Sequence, residues 1–444
     1  MDQNAFANLF KIPEVRKRVI FVLIGLAIYR LGATIPIPGI NAEALRSLFE
    51  SNKNGLLGFL DIFSGGALGK FSILSMGVMP YINASIIMSL LQGAHVIPYL
   101  DRLAKEGEQG RKKVNNITRI FTLFLAMFQS AGLTAALAHM PTPGNLPVVS
   151  NPSAMFYITT VLTLTTGTMF VMWLGEQMTE RGIGNGISLI IFAGIVDRMP
   201  SAVMNLIELV KLEEISIIMA VVIAIMVFVI MAVVVWVETA QRKIPVQYAK
   251  RMVGNKMYGG SSSYLPLKVD QSGVIAVIFA ISLLSVPMTL VQFNPNATWA
   301  QGILSFFNQS NWIYETVYGA LIILFCYFYN SVSINPKELA DNMKKWGGFI
   351  PGIRPGEPTS EHIEWILNRI TLGGSLFVVA IAVLPDILRK QFNVPFYFGG
   401  TALLIVVGVA LDTLGQLEAH LLMRNYEPMM KHGKIKGRWF NVGM

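Results

Sequence analysis

Apolar runs of roughly twenty residues recur along the whole chain, separated by polar stretches that hold most of the charged residues. In helical conformation, a run of that length crosses the roughly 30 Å hydrocarbon core of a bilayer. We therefore predict ten membrane-spanning helices, at residues 19–35, 73–92, 119–138, 154–174, 187–200, 215–237, 273–292, 312–332, 370–386 and 399–417.

The fifth span is the least certain in pattern, because its strictly apolar part runs only from Ile187 to Val196. A segment that short is also typical of a re-entrant or core helix. The distribution of lysine and arginine decides between these alternatives. With ten spans and a cytoplasmic N-terminus, most basic residues fall on the cytoplasmic side. Removing the fifth span inverts every later loop and leaves the two sides nearly even, so we predict ten spans with both termini in the cytoplasm.

Ten spans divide naturally into an N-terminal half, residues 1–210, and a C-terminal half, residues 211–444. Because five is an odd number, two similar halves would lie in opposite orientations, as in transport proteins built from inverted repeats. No convincing sequence repeat accompanies this division. Two long, basic cytoplasmic loops, residues 238–270 and 333–369, show no obvious structure of their own, which is typical of functional or disordered loops.

The stretch between the first two spans, residues 58–77, is amphipathic and is interrupted by Gly65, Gly66 and Gly69. Such a segment cannot face lipid, but it can fold back as a short helix inside a protein-lined cavity. An external surface loop with a helical turn explains the pattern equally well, because periodicity is ambiguous over a short apolar run.

Composition excludes several classes of protein. With 53% apolar and 14% charged residues, the chain has too little charge to cover a soluble fold of 444 residues. The net charge of +9 follows from basic cytoplasmic loops and does not require nucleic-acid binding. Cys326 is the only cysteine, the five histidines lack metal-ligand spacing, and no P-loop is present. We therefore predict no enzymatic activity, no cofactor and no metal site.

Ionisable residues inside predicted spans need a role, because burying a charge in lipid is costly. Arg30 lies near the outer end of the first span, from where its side chain can reach the interface. Asp412 and Glu418 lie in or near the tenth span, and in a proton- or sodium-coupled transporter of a small solute such acids carry the ion. No acidic cluster across several spans accompanies them, so a structural hydrogen bond or ion pair for Asp412 is favoured.

Two pairs of branched aliphatic residues, Val78 with Ile82 and Ile187 with Ile191, each share one helix face because their members are four positions apart. Such pairs are ordinary in membrane helices and do not by themselves indicate a pore.

Six stretches of the chain resemble the SecY family of protein-conducting channels. They are IPIPGIN (35–41), FSGGALGKFSILSMGVMPYINASII (63–87), GTMFVMWLGEQMTERGIGNGISLIIFAGIV (167–196), LPLKV (265–269), FIPGIRPGE (349–357) and VPFYFGGTALLIVV (394–407). The stretches follow the family's order and spacing from the first span to the last. The resemblance implies a passive channel that translocates unfolded secretory polypeptides and releases transmembrane segments laterally into lipid.

The resemblance also implies an all-α fold in which two inverted five-helix halves form a clamshell around an hourglass pore. A ring of aliphatic side chains would close its waist, here Val78, Ile82, Ile187, Ile191, Ile278 and Ile405. A re-entrant plug helix in residues 58–72 would seal the outer funnel, through Phe59, Asp61, Phe63, Ser64, Gly65, Gly66 and Leu68. Spans two and three against seven and eight would form a lateral gate. Asn83 and Gln129 lie in gate helices, where a hydrogen bond between them would favour closure by about 1 kcal/mol.

Finally, the resemblance implies partners and a location. Docking loops 238–268 and 333–362 would receive the ribosome or the SecA motor ATPase, through Lys250, Arg251, Lys256 and Arg354. Energy would come from such partners, with ATP hydrolysis in the motor. Family members also bind SecE and SecG subunits, signal peptides, nascent polypeptides and membrane lipids. They lie in the bacterial inner membrane as multi-pass proteins.

Overall fold

A helix covers the position of each of the ten predicted spans in the computed structural model of the chain. The structure describes residues 13–51, 61, 64–93, 97–139, 147–149, 152–213, 215–248, 251–253, 256–258, 262–293, 297–306, 312–392 and 400–432. In the N-terminal half the helices are α1 (Pro13–Gly32), α2 (Ala42–Ser51), α3 (Met79–Gly93), α4 (Pro98–Lys105), α5 (Glu108–His139), α6 (Ala154–Arg181), α7 (Gly186–Val196) and α8 (Met199–Lys211). In the C-terminal half they are α9 (Ile217–Thr239), α10 (Gly273–Phe293), α11 (Thr298–Phe306), α12 (Trp312–Ser333), α13 (Pro336–Lys345), α14 (Glu357–Phe392) and α15 (Gly400–His432).

Among the described residues, seven helical segments are long and apolar enough to cross a membrane by length and composition. They are Glu108–Ala138, Ala154–Arg181, Gly186–Lys211, Ile217–Thr239, Trp312–Lys345, Glu357–Leu384 and Gly400–His420. The other three predicted spans correspond to α1, which carries basic residues near both ends, and to the apolar helices α3 and α10. The fold is therefore that of a polytopic, mainly α-helical membrane protein.

The second predicted span begins later than expected. Residues 73–78 form turns, and α3 starts only at Met79, so the predicted start at residue 73 is wrong. Phe71 and Gly77 have φ of 42° and 53°, which a right-handed helix does not accommodate. The 15 residues of α3 cover only about 22 Å of depth. Irregular backbone is tolerated next to them because Leu74 and Val78 are buried within the protein rather than exposed to lipid.

The fifth span consists of two helices. Helix α7 has 11 residues and α8 has 13, with a turn at Asp197 and Arg198 between them. Helix α7 packs against α1, α6 and α15, so the short apolar stretch recognised in the sequence lies inside the bundle. Apart from Ser188, all residues of α7 are apolar or glycine. A helix that is apolar on every side is typically surrounded by other helices.

One apolar cluster connects the two halves of the chain. It contains buried residues of α1, α3, α6, α7, α9, α10, α12, α14 and α15. A second cluster lies among α2, the turns after residue 64, α5 and α6, with Leu68 and Phe71 at its centre. Because both clusters are built from residues far apart in sequence, the packing of the turns 64–78 depends on the whole N-terminal half.

The two long basic loops, residues 238–270 and 333–369, have structure, contrary to our expectation from sequence. Strands β1 (Gln241–Tyr248), β4 (Ser262–Lys268) and β5 (Gly348–Phe349) form an antiparallel sheet in the order β4-β1-β5, and β2 (Arg251–Val253) pairs with β3 (Lys256–Tyr258). Gln241 pairs with Lys268 and Gln247 with Ser262, whereas β5 joins β1 through Gln247 and Phe349. Alternate residues of β1, Ile244 and Val246, pack with residues of α13 and α14 in a small core of their own. The two loops therefore form one folded unit.

Candidate functional site

The six residues that the resemblance assigns to a pore ring all lie in, or pack against, the cluster that connects the two halves. They come from four parts of the chain: Val78 from the turn just before α3 and Ile82 from α3, Ile187 and Ile191 from α7, Ile278 from α10 and Ile405 from α15. Four of them are buried, and Ile187 and Ile278 are partly buried against the rest. The fold thus brings together aliphatic side chains that are more than 300 residues apart in sequence. Their function as a ring stays a prediction.

Helix α7 presents Ile187 and Ile191 because its first turn is closely fixed. The Asn185 side chain accepts hydrogen bonds from the first backbone N–H groups of the helix, at 3.1 Å from the nitrogen of Ile187. A side chain at Gly186 would overlap the carbonyl oxygen of Gly175, so this glycine lets α6 and α7 approach through their backbones. Both isoleucines are therefore held at a defined depth in the bundle.

Five of the predicted plug residues are described: Asp61, Ser64, Gly65, Gly66 and Leu68; Phe59 and Phe63 lie outside the described residues. Residues 64–78 form consecutive turns, so a plug helix would have to lie before residue 64, where only Asp61 is described, in helical conformation. Gly65 and Gly66 have φ of 62° and 82°, a region that favours glycine. The Ser64 hydroxyl accepts a hydrogen bond from the Leu68 nitrogen at 3.1 Å and stabilises the turn.

Charged residues surround this turn. Arg30 forms an ion pair with Asp197, in which the side chains are 37% and 47% exposed, and donates to the carbonyl oxygen of Gly65 at 2.8 Å. That its side chain reaches the membrane interface stays a prediction. Arg198 forms an ion pair with Asp61 and also donates to the Asp61 carbonyl oxygen at 2.9 Å. Intramembrane charges that pair with each other are the usual way to reduce the cost of burial.

The predicted gate helices are in contact with one another. Helix α10 packs against both α3 and α5, the helices that carry Asn83 and Gln129. Both side chains are buried, at 4% and 7% exposure, but within the described residues they do not hydrogen-bond to each other. The Asn83 oxygen Oδ1 has no partner there, and neither has the hydroxyl of Ser282 on α10. The proposed Asn83–Gln129 hydrogen bond is therefore wrong for this conformation.

The predicted docking residues differ in how much the structure says of them. Arg354 is exposed in a turn between β5 and α14, and its carbonyl oxygen accepts a hydrogen bond from the Thr359 hydroxyl at 2.8 Å. Lys250 lies outside the described residues. Arg251 and Lys256 belong to the paired strands β2 and β3, but their side chains are not described.

Asp412 does not have the structural partner that we favoured. Its side chain is exposed and makes no hydrogen bond or ion pair with the described residues. It lies near Glu238, which is more buried and which in turn lies near Asp270, and burial raises the pKa of Asp270. The described part of the chain contains no group of three or more histidine, cysteine or carboxylate side chains that could hold a metal ion.

Sequence reasoning missed the pairing of Asp61 with Arg198 and the hydrogen bond between Asn330 on α12 and Thr371 on α14, whose atoms are 2.7 Å apart. A signal for the first was available. Asp197 and Arg198 follow directly after a purely apolar helix, and adjacent charges at membrane depth indicate ionic partners elsewhere in the bundle. Nothing local in the sequence marks the second.

The match to a protein-family model decides the family. Residues 72–414, well over half of the chain, match the model described as SecY. This chain belongs to the SecY family.

Its curated relatives match along nearly the full length. The chain is 48% identical over 424 residues to "Protein translocase subunit SecY" of Aquifex aeolicus, covering 95% of this chain and 98% of the relative. It is 45% identical over 427 residues to the protein of the same name from Escherichia coli, covering 96% of both. The family assignment therefore includes both halves of this SecY-family chain and its two long basic loops.

Solved structures share the fold at lower identity. A protein-conducting channel aligns with a TM-score of 0.66 at 17% identity, covering 97% of this chain and 99% of the other. Sec61 in the canine ribosome–channel complex from the endoplasmic reticulum aligns with a TM-score of 0.64, also at 17% identity and with the same coverage. At these identities the likeness shows the fold alone. The comparisons give no support to the alternative of a small-solute transporter.

Proposed function

We propose that this SecY-family chain is the channel-forming subunit of a bacterial protein translocase. It passes unfolded secretory polypeptides across the membrane and releases transmembrane segments laterally into lipid. The observation that carries the proposal is the convergence of six branched aliphatic residues from α3, α7, α10 and α15 in a chain of this family. A narrow apolar collar resists the passage of water and ions, yet its side chains can yield to an extended polypeptide.

The two halves, residues 1–210 and 211–444, then act as the shells of a clamshell that opens between α3 and α5 on one side and α10 and α12 on the other. Asn83, Gln129 and Ser282 are buried near this interface. Among the described residues, the Asn83 oxygen Oδ1 and the Ser282 hydroxyl have no hydrogen-bond partner, which makes the closed state less favourable and lowers the cost of separating the helices. The segment 58–72 acts as the plug. In a related structure, the plug domain of the SecY protein stabilises the closed state of the channel and maintains a membrane seal.

The folded cytoplasmic unit is the proposed docking surface. Arg354 and the basic strands of loop 238–268 suit either acidic protein surfaces or the phosphates of ribosomal RNA. We assign to it the SecA motor ATPase, which would hydrolyse the ATP, and the ribosome. SecE and SecG are the proposed partner subunits in the membrane. The proposed ligands of the gate are signal peptides, nascent polypeptides and lipids. The chain would lie in the bacterial inner membrane with both termini in the cytoplasm.

The docking assignment has its own test. Arg354→Gln should weaken binding of the purified complex to the motor or to ribosomes, more strongly at low than at high salt, because such contacts are screened. Lys17→Gln removes an exposed charge of α1 that lies outside both docking loops, on the same predicted side of the membrane, and is the matched control. Equal binding by both variants would contradict the assignment of Arg354.

The main experiment is crosslinking of a stalled secretory precursor to single cysteines at Ile82, Ile191, Ile278 and Ile405. Cys326→Ser provides the background, and Cys326 itself is buried. Cysteines at Ile218 and Phe228 of α9, which are 77% and 70% exposed and predicted to face lipid, are the controls. We expect crosslinks at all four ring positions and none at the controls. Absence of crosslinks with a folded, partner-engaged complex would overturn the pore assignment.

A further inference from the structure

Two arginines donate hydrogen bonds to backbone carbonyl groups of the turn around Gly65 and Gly66, in the proposed plug segment. Arg30 donates to the carbonyl oxygen of Gly65 at 2.8 Å, and Arg198 donates to that of Asp61 at 2.9 Å. Tyr29, next to Arg30, donates its hydroxyl to the carbonyl oxygen of Ser64 at 3.0 Å. The backbone carbonyl groups of Asp61, Ser64 and Gly65 thus each accept a hydrogen bond from α1 or from Arg198. The attachment of the turn therefore does not depend on a single plug side chain.

Each of these arginines is also fixed by a carboxylate. Arg30 pairs with Asp197 and Arg198 pairs with Asp61, so two adjacent residues of the α7–α8 turn take part. The Arg198–Asp61 pair is the better shielded, with side chains 31% and 13% exposed. Asp61 also accepts a hydrogen bond from the Gly69 nitrogen at 2.7 Å, which closes the turn on itself. Removing one partner of a shielded pair leaves the other charge uncompensated.

All hydrogen bonds and ion pairs of Asp61 and of residues 64–78 are made with the N-terminal half, among the residues that the structure describes. The apolar contacts of Leu68 and Phe71 are also made within the N-terminal half, because the cluster that contains them has only residues before 165. Gly65 lies against Gly194 of α7, where a side chain at Gly65 would come within 2.9 Å of the Gly194 Cα atom. The turn is therefore fitted against α1 and α7, not across the two halves.

We propose that Asp61 and Arg198 form a latch that holds the plug to the N-terminal half, with Arg30 and Asp197 as its second pair. Separation of the halves at the lateral gate then does not by itself release the plug, because both sides of the latch move together. Release requires the α7–α8 turn or the end of α1 to move, or the ion pairs to break. This proposal rests on the proposed channel function and assigns Arg198 as a positioning residue for the closed state.

The test measures ion leak through resting channels in proteoliposomes made with the whole translocase complex. Asp61→Asn and Arg198→Gln should each raise the leak about tenfold, the ratio expected for loss of one hydrogen bond to a charged group. The double variant should leak no more than the worse single variant, because both remove the same interaction. Lys211→Gln, which removes an exposed charge at the end of α8, should leave the leak unchanged.

A second readout separates the latch from the gate. Disulfide formation between one cysteine on α3 and one on α10 reports gate closure and should be the same in wild type and latch variants. The proposal would be overturned if the single variants leaked no more than wild type, or if the effects of the two substitutions multiplied in the double variant. It would also be overturned if the latch variants lost the gate disulfide along with the seal. If Arg198→Gln fails to assemble, Arg198→Lys keeps the charge but loses the guanidinium group that contacts both the carboxylate and the carbonyl oxygen of Asp61, and an intermediate leak is expected. Wild-type translocation of a precursor, measured alongside, tests the channel function separately.

Discussion

Two adjacent glycines of α14 should respond oppositely to alanine. Gly374 is buried against the turn between β4 and α10, and a Cβ built on it would lie 2.5 Å from the Val269 carbonyl oxygen and 3.3 Å from the Val269 carbonyl carbon. Gly373, its neighbour, is exposed and a Cβ there would meet nothing within 4 Å. Both positions are in the same helix, so their helix propensities are alike.

Alanine in place of a helical glycine stabilises by roughly 0.5–1 kcal/mol where space allows. At Gly374 the Cβ contact is shorter than real Cβ atoms show, and backbone rather than a flexible side chain stands in the way. Relieving such an overlap typically costs about 1–3 kcal/mol. We therefore expect Gly373→Ala to stabilise by about 0.5–1 kcal/mol. Gly374→Ala should destabilise by about 1–2 kcal/mol, the net of overlap and propensity.

The measurement is the apparent melting temperature of the purified complex in detergent, compared at one heating rate because membrane proteins often unfold irreversibly. The difference in melting temperature between the two variants reports the steric overlap at Gly374, since the effect of helix propensity is the same at both positions. A Gly374→Ala protein as stable as Gly373→Ala would refute the close approach of α14 to the turn that carries Asp270.

Three further predictions concern polar contacts. Thr371→Val removes the hydrogen bond from the Asn330 amide and should lower stability in detergent by about 1 kcal/mol, and an unchanged melting temperature would show that this bond contributes nothing. Glu176→Gln weakens the two parallel hydrogen bonds from Arg119, of 2.9 and 2.7 Å. The free energy of unfolding should fall by about 1 kcal/mol at low salt and by less at high salt. A loss of stability that does not depend on salt would argue against an ionic contribution. Burial raises the pKa of Asp270 above its unfolded value of about 4. Its ionised form is thus disfavoured in the folded state, and stability should fall as pH rises from the unfolded pKa through the folded one. Asp270→Asn should make this fall smaller in melting curves across pH, and an identical pH profile for wild type and variant would contradict it.

The membrane class and the positions of the helices could be predicted from sequence, because hydropathy and length are properties of each segment alone. The distribution of basic residues decided the number of predicted spans, and a helix lies at the position of each of them. The short apolar stretch at Ile187 was correctly included, although its own length was ambiguous. The candidate ring residues came from the resemblance, since branched aliphatic residues at helical spacing are common in any membrane helix.

Contacts between distant segments were decided by the tertiary structure. The partners of Arg30, namely Asp197 and the Gly65 carbonyl oxygen, are remote in sequence and could not be predicted from the span that carries it. The start of α3 depends on the turn at Phe71, whose buried ring packs between α2, α5 and α6. The cytoplasmic sheet needs β5 and the residues of α13 and α14 to cover one face of β1. Local periodicity encodes which face of a segment is apolar, but not which other segment will cover it. For that reason the sequence by itself determined the apolar helices and their number, whereas only the folded chain determined the ion pairs, the turns and the sheet.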